Sequence, residues 1–67
     1  MTYQVVLPVY EGPLDLLLDL IDNHQLDIYN LPISFITSQY MDYTRQAREI
    51  DLNLSGDFLV MAGTLLA

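Results

Sequence analysis

Three carboxylates at helical spacing and one imidazole are the groups in this 67-residue sequence whose arrangement suggests chemistry. Asp15, Asp19 and Asp22 follow one another at intervals of four and three, so they share one side of a helix at ~100° per residue. Such a row could hold a divalent cation, but calcium and magnesium sites usually need loop geometry or further oxygen ligands. His24, the only histidine, has no second ligand or catalytic partner at helical spacing. We therefore predict no catalytic residue and no metal site. The carboxylates are interpreted as a solvated face, with a docking face for a basic partner as the alternative, and His24 as a surface or capping residue.

Composition narrows the class of protein further. Nine acidic residues face only two cationic ones, Arg45 and Arg48, for a formal net charge of −7. A surface this acidic repels phosphate, so we predict no direct binding of nucleic acid. The 52% hydrophobic content is too high for a disordered chain, and the absence of cysteine excludes disulfides and thiolate metal sites. The longest apolar run, residues 58–67, is shorter than the ~20 residues of a membrane span. We predict no cofactor, no small-molecule substrate, no membrane contact and no enzymatic activity, since an enzyme needs reactive groups that converge in a cleft.

The stretch that follows Gly12 and Pro13 predicts the first helix, from Pro13 to Asn23 or Gln25. Proline is suited to the first helical position, because an N–H group there would have no hydrogen-bond partner within the helix. The apolar residues of this stretch cover roughly half of the helix circumference, which is more than one neighbouring helix can cover. We therefore predict that this helix is the central one and that its core residues are Leu14, Leu17, Leu18 and Ile21.

A second helix is predicted from Phe35 to about Glu49, with Ser34 as its N-cap. Its apolar stripe is interpreted as core rather than as a base-stacking platform, because stacking platforms lie in basic grooves. The predicted core residues here are Ile36, Tyr40 and Tyr43, with Ala47 continuing the stripe. Phe35 lies off the stripe and is either a staple to the preceding connector or a secondary contact for a partner. The connector over residues 25–32 is expected to fold back onto the core, with the ring of Tyr29 buried.

The third helix is predicted to begin after Ser55, which offers an N-cap, and to continue to the end of the sequence. Phe58, Ala62 and Leu65 share the predicted core side. The opposite side carries only small or β-branched residues, namely Val60, Gly63, Thr64 and Ala67. Because no charged residue follows the first turn, this helix is expected to be buried all round. The small-residue side would admit a partner helix closely, although downstream residues of the same polypeptide or a second copy could also cover it.

The fold class that follows is mainly α: a small three-helix bundle with a short extended N-terminal segment and a truncated last helix. Residues 3–7 are rich in β-branched and aromatic residues and predict the extended segment, which either packs on the bundle or pairs with another chain. Sixty-seven residues allow one domain at most. Since the sequence stops inside an apolar run, we expect residues 1–67 to be a fragment of a longer protein.

Three stretches resemble the start of segregation and condensation protein A, the bacterial and archaeal kleisin subunit of the SMC complex. The resemblance covers nearly the whole chain in order and rests on these residues: Tyr3-x-Val5-x-Leu7-Pro8-x-Tyr10-Glu11-Gly12-Pro13-Leu14-Asp15-Leu16-Leu17-Leu18, Leu26-Asp27-Ile28-Tyr29-x-x-Pro32-Ile33-Ser34-x-Ile36-Thr37-x-Gln39-Tyr40, and Gly56-x-Phe58-Leu59-Val60-Met61-Ala62.

The resemblance implies a kleisin N-terminal domain with a non-enzymatic role in chromosome condensation and segregation. In that family the N-terminal domain lays a helix along the coiled-coil neck of an SMC ATPase head. A central segment binds the accessory component of the complex, segregation and condensation protein B. The family also implies a cytoplasmic, nucleoid-associated protein, and its docking helix matches the third helix here. Two departures are visible: Phe35 replaces a commonly acidic residue, and the basic continuation of the third helix is absent after Ala67. The pattern alone allows a generic helical adaptor or self-associating domain as the alternative.

Overall fold

The chain folds into three α-helices. The computed structural model describes residues 7–67, in which α1 spans Pro13–Asn23, α2 spans Ile33–Glu49 and α3 spans Gly56–Leu66. No strand occurs among residues 7–67, and the three helices contact one another pairwise. The predicted mainly α, three-helix architecture is confirmed. The predicted extended segment lies, apart from Leu7, outside the described residues.

The helix starts follow local backbone chemistry. Gly12 is the N-cap of α1 and Pro13 its first residue, while Ser55 is the N-cap of α3, as the sequence predicts. The predicted N-cap of α2 is wrong, because α2 begins at Ile33 and its N-cap is Pro32. The carbonyl of Pro32 already accepts a hydrogen bond from the N–H of Ile36 at 3.0 Å, so the first helical turn closes before Ser34 could cap it.

The central helix is α2, which corrects the prediction that α1 takes this place. It buries five side chains, whereas α1 buries one. At ~1.5 Å per residue the 17 residues of α2 extend roughly 25 Å, against roughly 16 Å for the 11 residues of α1. The longer helix therefore offers a face to both of its neighbours. Its buried residues are Ile36, Tyr40, Tyr43, Thr44 and Ala47.

The core side of α1 also differs from the prediction. Leu14 and Leu18 are 65% and 66% exposed, so their assignment to the core is wrong. Leu16, only 1% exposed, is the buried residue of α1, and Leu17 and Leu20 pack beside it. Leucines occupy both sides of this helix, so periodicity did not distinguish the inner side from the outer one. Of the other predicted core residues, Ile36, Tyr40, Tyr43, Phe58 and Ala62 are buried, while Leu17, Ile21 and Leu65 are half-buried.

Tyrosine hydroxyls connect the elements of the bundle. The Tyr40 hydroxyl donates to the carbonyl of Phe58 at 2.7 Å and joins α2 to α3. The Tyr43 hydroxyl donates to the carbonyl of Pro8 at 2.7 Å, which holds the segment before α1 against α2. The ring of Tyr10 meets that of Tyr43 edge-on, with centroids 5.3 Å apart. Burial raises the pKa of the Tyr40 and Tyr43 hydroxyls above the usual value.

The connector between α1 and α2 turns its bulkiest side chains outward. Tyr29 is 93% exposed and Ile28 is 65% exposed, so the predicted burial of the Tyr29 ring is wrong. The Asp27 carboxylate accepts a hydrogen bond from the N–H of Tyr29 at 2.9 Å, an Asx turn. The apolar character of Ile28 and Tyr29 therefore did not place their side chains against the core.

Candidate partner-binding surface

The side of α3 that points away from the core is a row of four exposed residues, here called the α3 outer face: Val60, Gly63, Thr64 and Ala67. Phe58 and Ala62, on the opposite side of the helix, are 2% and 7% exposed. Val60 is the largest side chain of the row and is 71% exposed. The structure thus brings the four predicted partner-binding residues together on one solvent-facing strip.

The α3 outer face carries no charge. The only ionisable side chain of α3 is Asp57, in the first turn. Thr64 supplies the one polar group, and its hydroxyl donates to the carbonyl of Val60 at 3.2 Å. A threonine that bonds to its own helix in this way has its donor satisfied. The strip can therefore be buried against a partner without burying a charge or an unpaired hydrogen-bond donor.

Gly63 makes a notch in this strip. A Cβ atom placed on Gly63 would meet no heavy atom within 4 Å, so nothing within the described chain fills the space above it. The distance between packed helix axes depends on the side chains at their contact. A helix that crosses α3 at Gly63 could thus approach the backbone of α3 more closely than at a position that carries a side chain.

Two exposed leucines, together with Val60, show that the prediction of an α3 buried all round is wrong. Leu59 and Leu66 are 59% and 64% exposed. They lie roughly 80–100° around the helix from Phe58 at ~100° per residue, and this offset was the signal that could have placed them outside. The exposed apolar surface of α3 is therefore wider than its small-residue row.

Phe35 packs within the chain. Its ring meets His24, the C-cap residue of α1, with centroids 5.0 Å apart and an interplanar angle of 88°. Phe35 remains 38% exposed. This contact joins the end of α1 to the start of α2, whereas the staple alternative placed Phe35 against the connector over residues 25–32. A role as a secondary partner contact stays a prediction.

The aspartate row of α1 divides into two environments. Asp15 and Asp22 are exposed, whereas Asp19 is half-buried and accepts hydrogen bonds from the Tyr10 hydroxyl and, at 2.9 Å, from Asn23. Burial first, and then the bond and charge of Asp19, raise the pKa of Tyr10. The spacing of the aspartates does not reveal the Tyr10–Asp19 pair, and the prediction of a wholly solvated face is wrong for Asp19. Within residues 7–67 no three potential metal ligands lie close enough to share an ion.

The helices found in residues 7–67 are all too short or too polar to cross a lipid bilayer.

Comparison with known proteins identifies the family of this chain. The family model described as segregation and condensation protein ScpA matches residues 20–67. Segregation and condensation protein A of Myxococcus xanthus is 49% identical over 63 residues, 94% of this chain and 22% of that protein. The proteins of the same name from Oceanobacillus iheyensis and Bacillus licheniformis are 51% and 49% identical over 97% and 100% of this chain.

This chain covers only 26% and 27% of the length of those last two relatives, about a quarter. The matched region of the family model contains all of α2 and α3, and therefore the whole α3 outer face. The chain belongs to the segregation and condensation protein ScpA family.

Proposed function

We propose that this chain is the N-terminal domain of a kleisin, a non-enzymatic subunit of an SMC complex that condenses and segregates chromosomes. The names of its relatives support the role in segregation and condensation. In this proposal α3 docks along the coiled-coil neck beside an SMC ATPase head. The α1 and α2 helices hold α3 in position.

The observation that carries the proposal is the α3 outer face. In this three-helix domain, α3 exposes an uncharged, largely apolar strip to solvent. Such a strip has small or β-branched, uncharged residues at i, i+3, i+4 and i+7, which is the spacing by which one helix packs on another. A coiled coil is itself a pair of long helices and offers a matching ridge.

The test introduces a charge on the strip. Val60→Glu and Gly63→Arg should leave the isolated chain folded, since Val60 is 71% exposed and space is open around Gly63. A charge left unpaired in a dry helix interface costs about 3–5 kcal/mol. Both variants should therefore fail to co-elute with a purified SMC head-and-neck protein. Each should still unfold cooperatively on heating, and Gly63→Arg should have a Tm no lower than that of the unchanged chain, since arginine favours a helix more than glycine does.

Val9→Glu is the matched control, because Val9 is an equally apolar residue, 76% exposed, that precedes α1. It should bind the SMC neck as the unchanged chain does. Normal binding by Val60→Glu and Gly63→Arg would show that the α3 outer face is not the docking surface. If the unchanged chain does not bind the SMC neck but self-associates, and if Val60→Glu and Gly63→Arg are monomeric, the self-associating alternative is correct.

The other partners follow from the same proposal. The accessory component, segregation and condensation protein B, would bind mostly through parts of the protein outside these 67 residues, which span about a quarter of the relatives' length. The net charge of −7 argues against direct nucleic-acid binding by this domain. We propose a cytoplasmic, nucleoid-associated location that depends on the SMC partner.

A further inference from the structure

The α1 helix exposes a second apolar strip. Leu14, Leu18 and Ile21 lie at i, i+4 and i+7, on the side of α1 opposite the buried Leu16. Leu14 and Leu18 are each about two-thirds exposed, at 65% and 66%. No residue of α3 belongs to this strip, so the proposed docking of α3 does not explain it.

An open groove runs beside this strip, and its volume is about 610 Å³. Its apolar lining comes from the outer side of α1 and from the connector that follows, and its acidic lining comes from the aspartate row. We call it the α1 groove: Leu18, Ile21, Leu26 and Ile28, with Asp15, Asp19 and Asp22. Ile28, 65% exposed, forms its end on the connector.

The charge of the α1 groove is all of one sign. None of the residues that line it is a lysine or an arginine. Of the two arginines in the chain, Arg45 pairs with Asp42 and, at 3.1 Å, with Glu49 on α2. Asp19 accepts its hydrogen bonds from the neutral donors of Tyr10 and Asn23, which leave its negative charge in place. Among residues 7–67, the groove therefore presents apolar surface beside uncompensated carboxylates.

We propose that the α1 groove binds an amphipathic helix of a protein partner whose apolar ridge is flanked by lysine or arginine. The strip from Leu14 to Ile21 is roughly 10 Å long at ~1.5 Å per residue, which matches two turns of a helical ligand. Burial of the leucines supplies the affinity, and the opposite charges set the orientation and speed the encounter. A second copy of this chain is a poor occupant, because it brings a net charge of −7 to an acidic groove.

A synthetic peptide tests the proposal directly. The probe is a fluorescein-labelled helical peptide with leucines at i, i+4 and i+7 and lysines on both flanks, titrated with the 67-residue chain in fluorescence anisotropy. Leu18→Gln should weaken its binding by about tenfold or more, because it removes a central apolar contact. Asp15→Asn combined with Asp22→Asn should weaken binding at low salt and flatten its dependence on salt.

The matched control is Leu59→Gln, the same substitution at a leucine of α3 that is 59% exposed. It should leave peptide binding unchanged. A second variant, Ile28→Gln, changes the connector end of the groove and should also weaken binding without touching α1.

Four results would overturn the proposal. These are no binding of the lysine peptide, equal binding of a peptide with glutamate in place of lysine, equal binding of a peptide with the leucines scrambled, and equal losses in Leu18→Gln and Leu59→Gln. None of these results bears on the docking of α3 to an SMC neck, which Val60→Glu tests separately.

Discussion

Replacement of Gly63 by alanine should stabilise the free chain and weaken its docking, two effects of opposite sign from one methyl group. Gly63 lies inside α3, among residues with ordinary helical geometry, and its φ is not positive. Glycine at an exposed helical position is about 0.5–1 kcal/mol less favourable than alanine, since it loses more backbone entropy on folding.

The structure indicates that the added methyl group meets no obstacle in the free chain, because nothing lies within 4 Å of the new Cβ atom. The full gain in helix propensity should therefore appear in the free energy of unfolding. For a domain of this size, 1 kcal/mol corresponds to a rise of roughly 4–8 °C in Tm. Thermal unfolding followed by circular dichroism measures this effect.

In the complex the same methyl group occupies the notch into which a partner helix is proposed to fit. Overpacking a closely fitted contact costs about 1–3 kcal/mol, which raises Kd roughly 5- to 150-fold. Isothermal titration of the variant against an SMC head-and-neck protein measures this loss. Ser38→Ala, on the exposed surface of α2, is the control: it should raise Tm slightly and leave Kd unchanged.

The two readouts refute different steps of the reasoning. A variant with an unchanged or lower Tm would show that the space around Gly63 is not open in solution. A variant that is more stable but binds the neck with the same Kd would show that no partner helix approaches α3 at this notch.

Two further predictions concern the bundle itself. Leu16→Ala should cost about 2–5 kcal/mol in chemical denaturation and Leu18→Ala no more than about 0.5 kcal/mol, because only Leu16 is buried; equal losses would contradict the assigned core side of α1. The raised pKa values of Tyr10, Tyr40 and Tyr43 mean that the folded chain holds these phenolic protons more tightly than the unfolded chain. The contribution of these three tyrosines to the free energy of unfolding is then fully present below the ordinary tyrosine pKa of about 10 and is lost as the pH rises above it. A Tm that stays constant through that alkaline range would contradict this assignment.

Local sequence was sufficient for the positions of the helices. The pairs Gly12–Pro13 and Ser55–Gly56 set the starts of α1 and α3, since a helix start depends on the backbone preferences of a few adjacent residues. The one helix start predicted wrongly, the N-cap of α2 at Ser34, differs because the carbonyl of Pro32 closes the first turn of that helix. The small-residue row of α3 was also visible in sequence, because small or β-branched residues occupied one side only.

Tertiary structure decided which side of α1 turns inward. Leu16 with Leu20, and Leu14 with Leu18, are two stripes of equal spacing and similar apolar character, so local periodicity offered no basis for choosing between them. The choice depends on contacts between residues distant in sequence.

The Tyr10 hydroxyl bonds to Asp19, and Tyr43 holds the segment before α1 through the carbonyl of Pro8. Together these contacts accompany the burial of the Leu16 side and leave the Leu14 and Leu18 side exposed. The sequence by itself thus determined three helices and an uncharged face on α3. Packing decided that α2 is central and that α1 has an acidic, apolar groove, because both depend on which of several equivalent apolar surfaces meet one another.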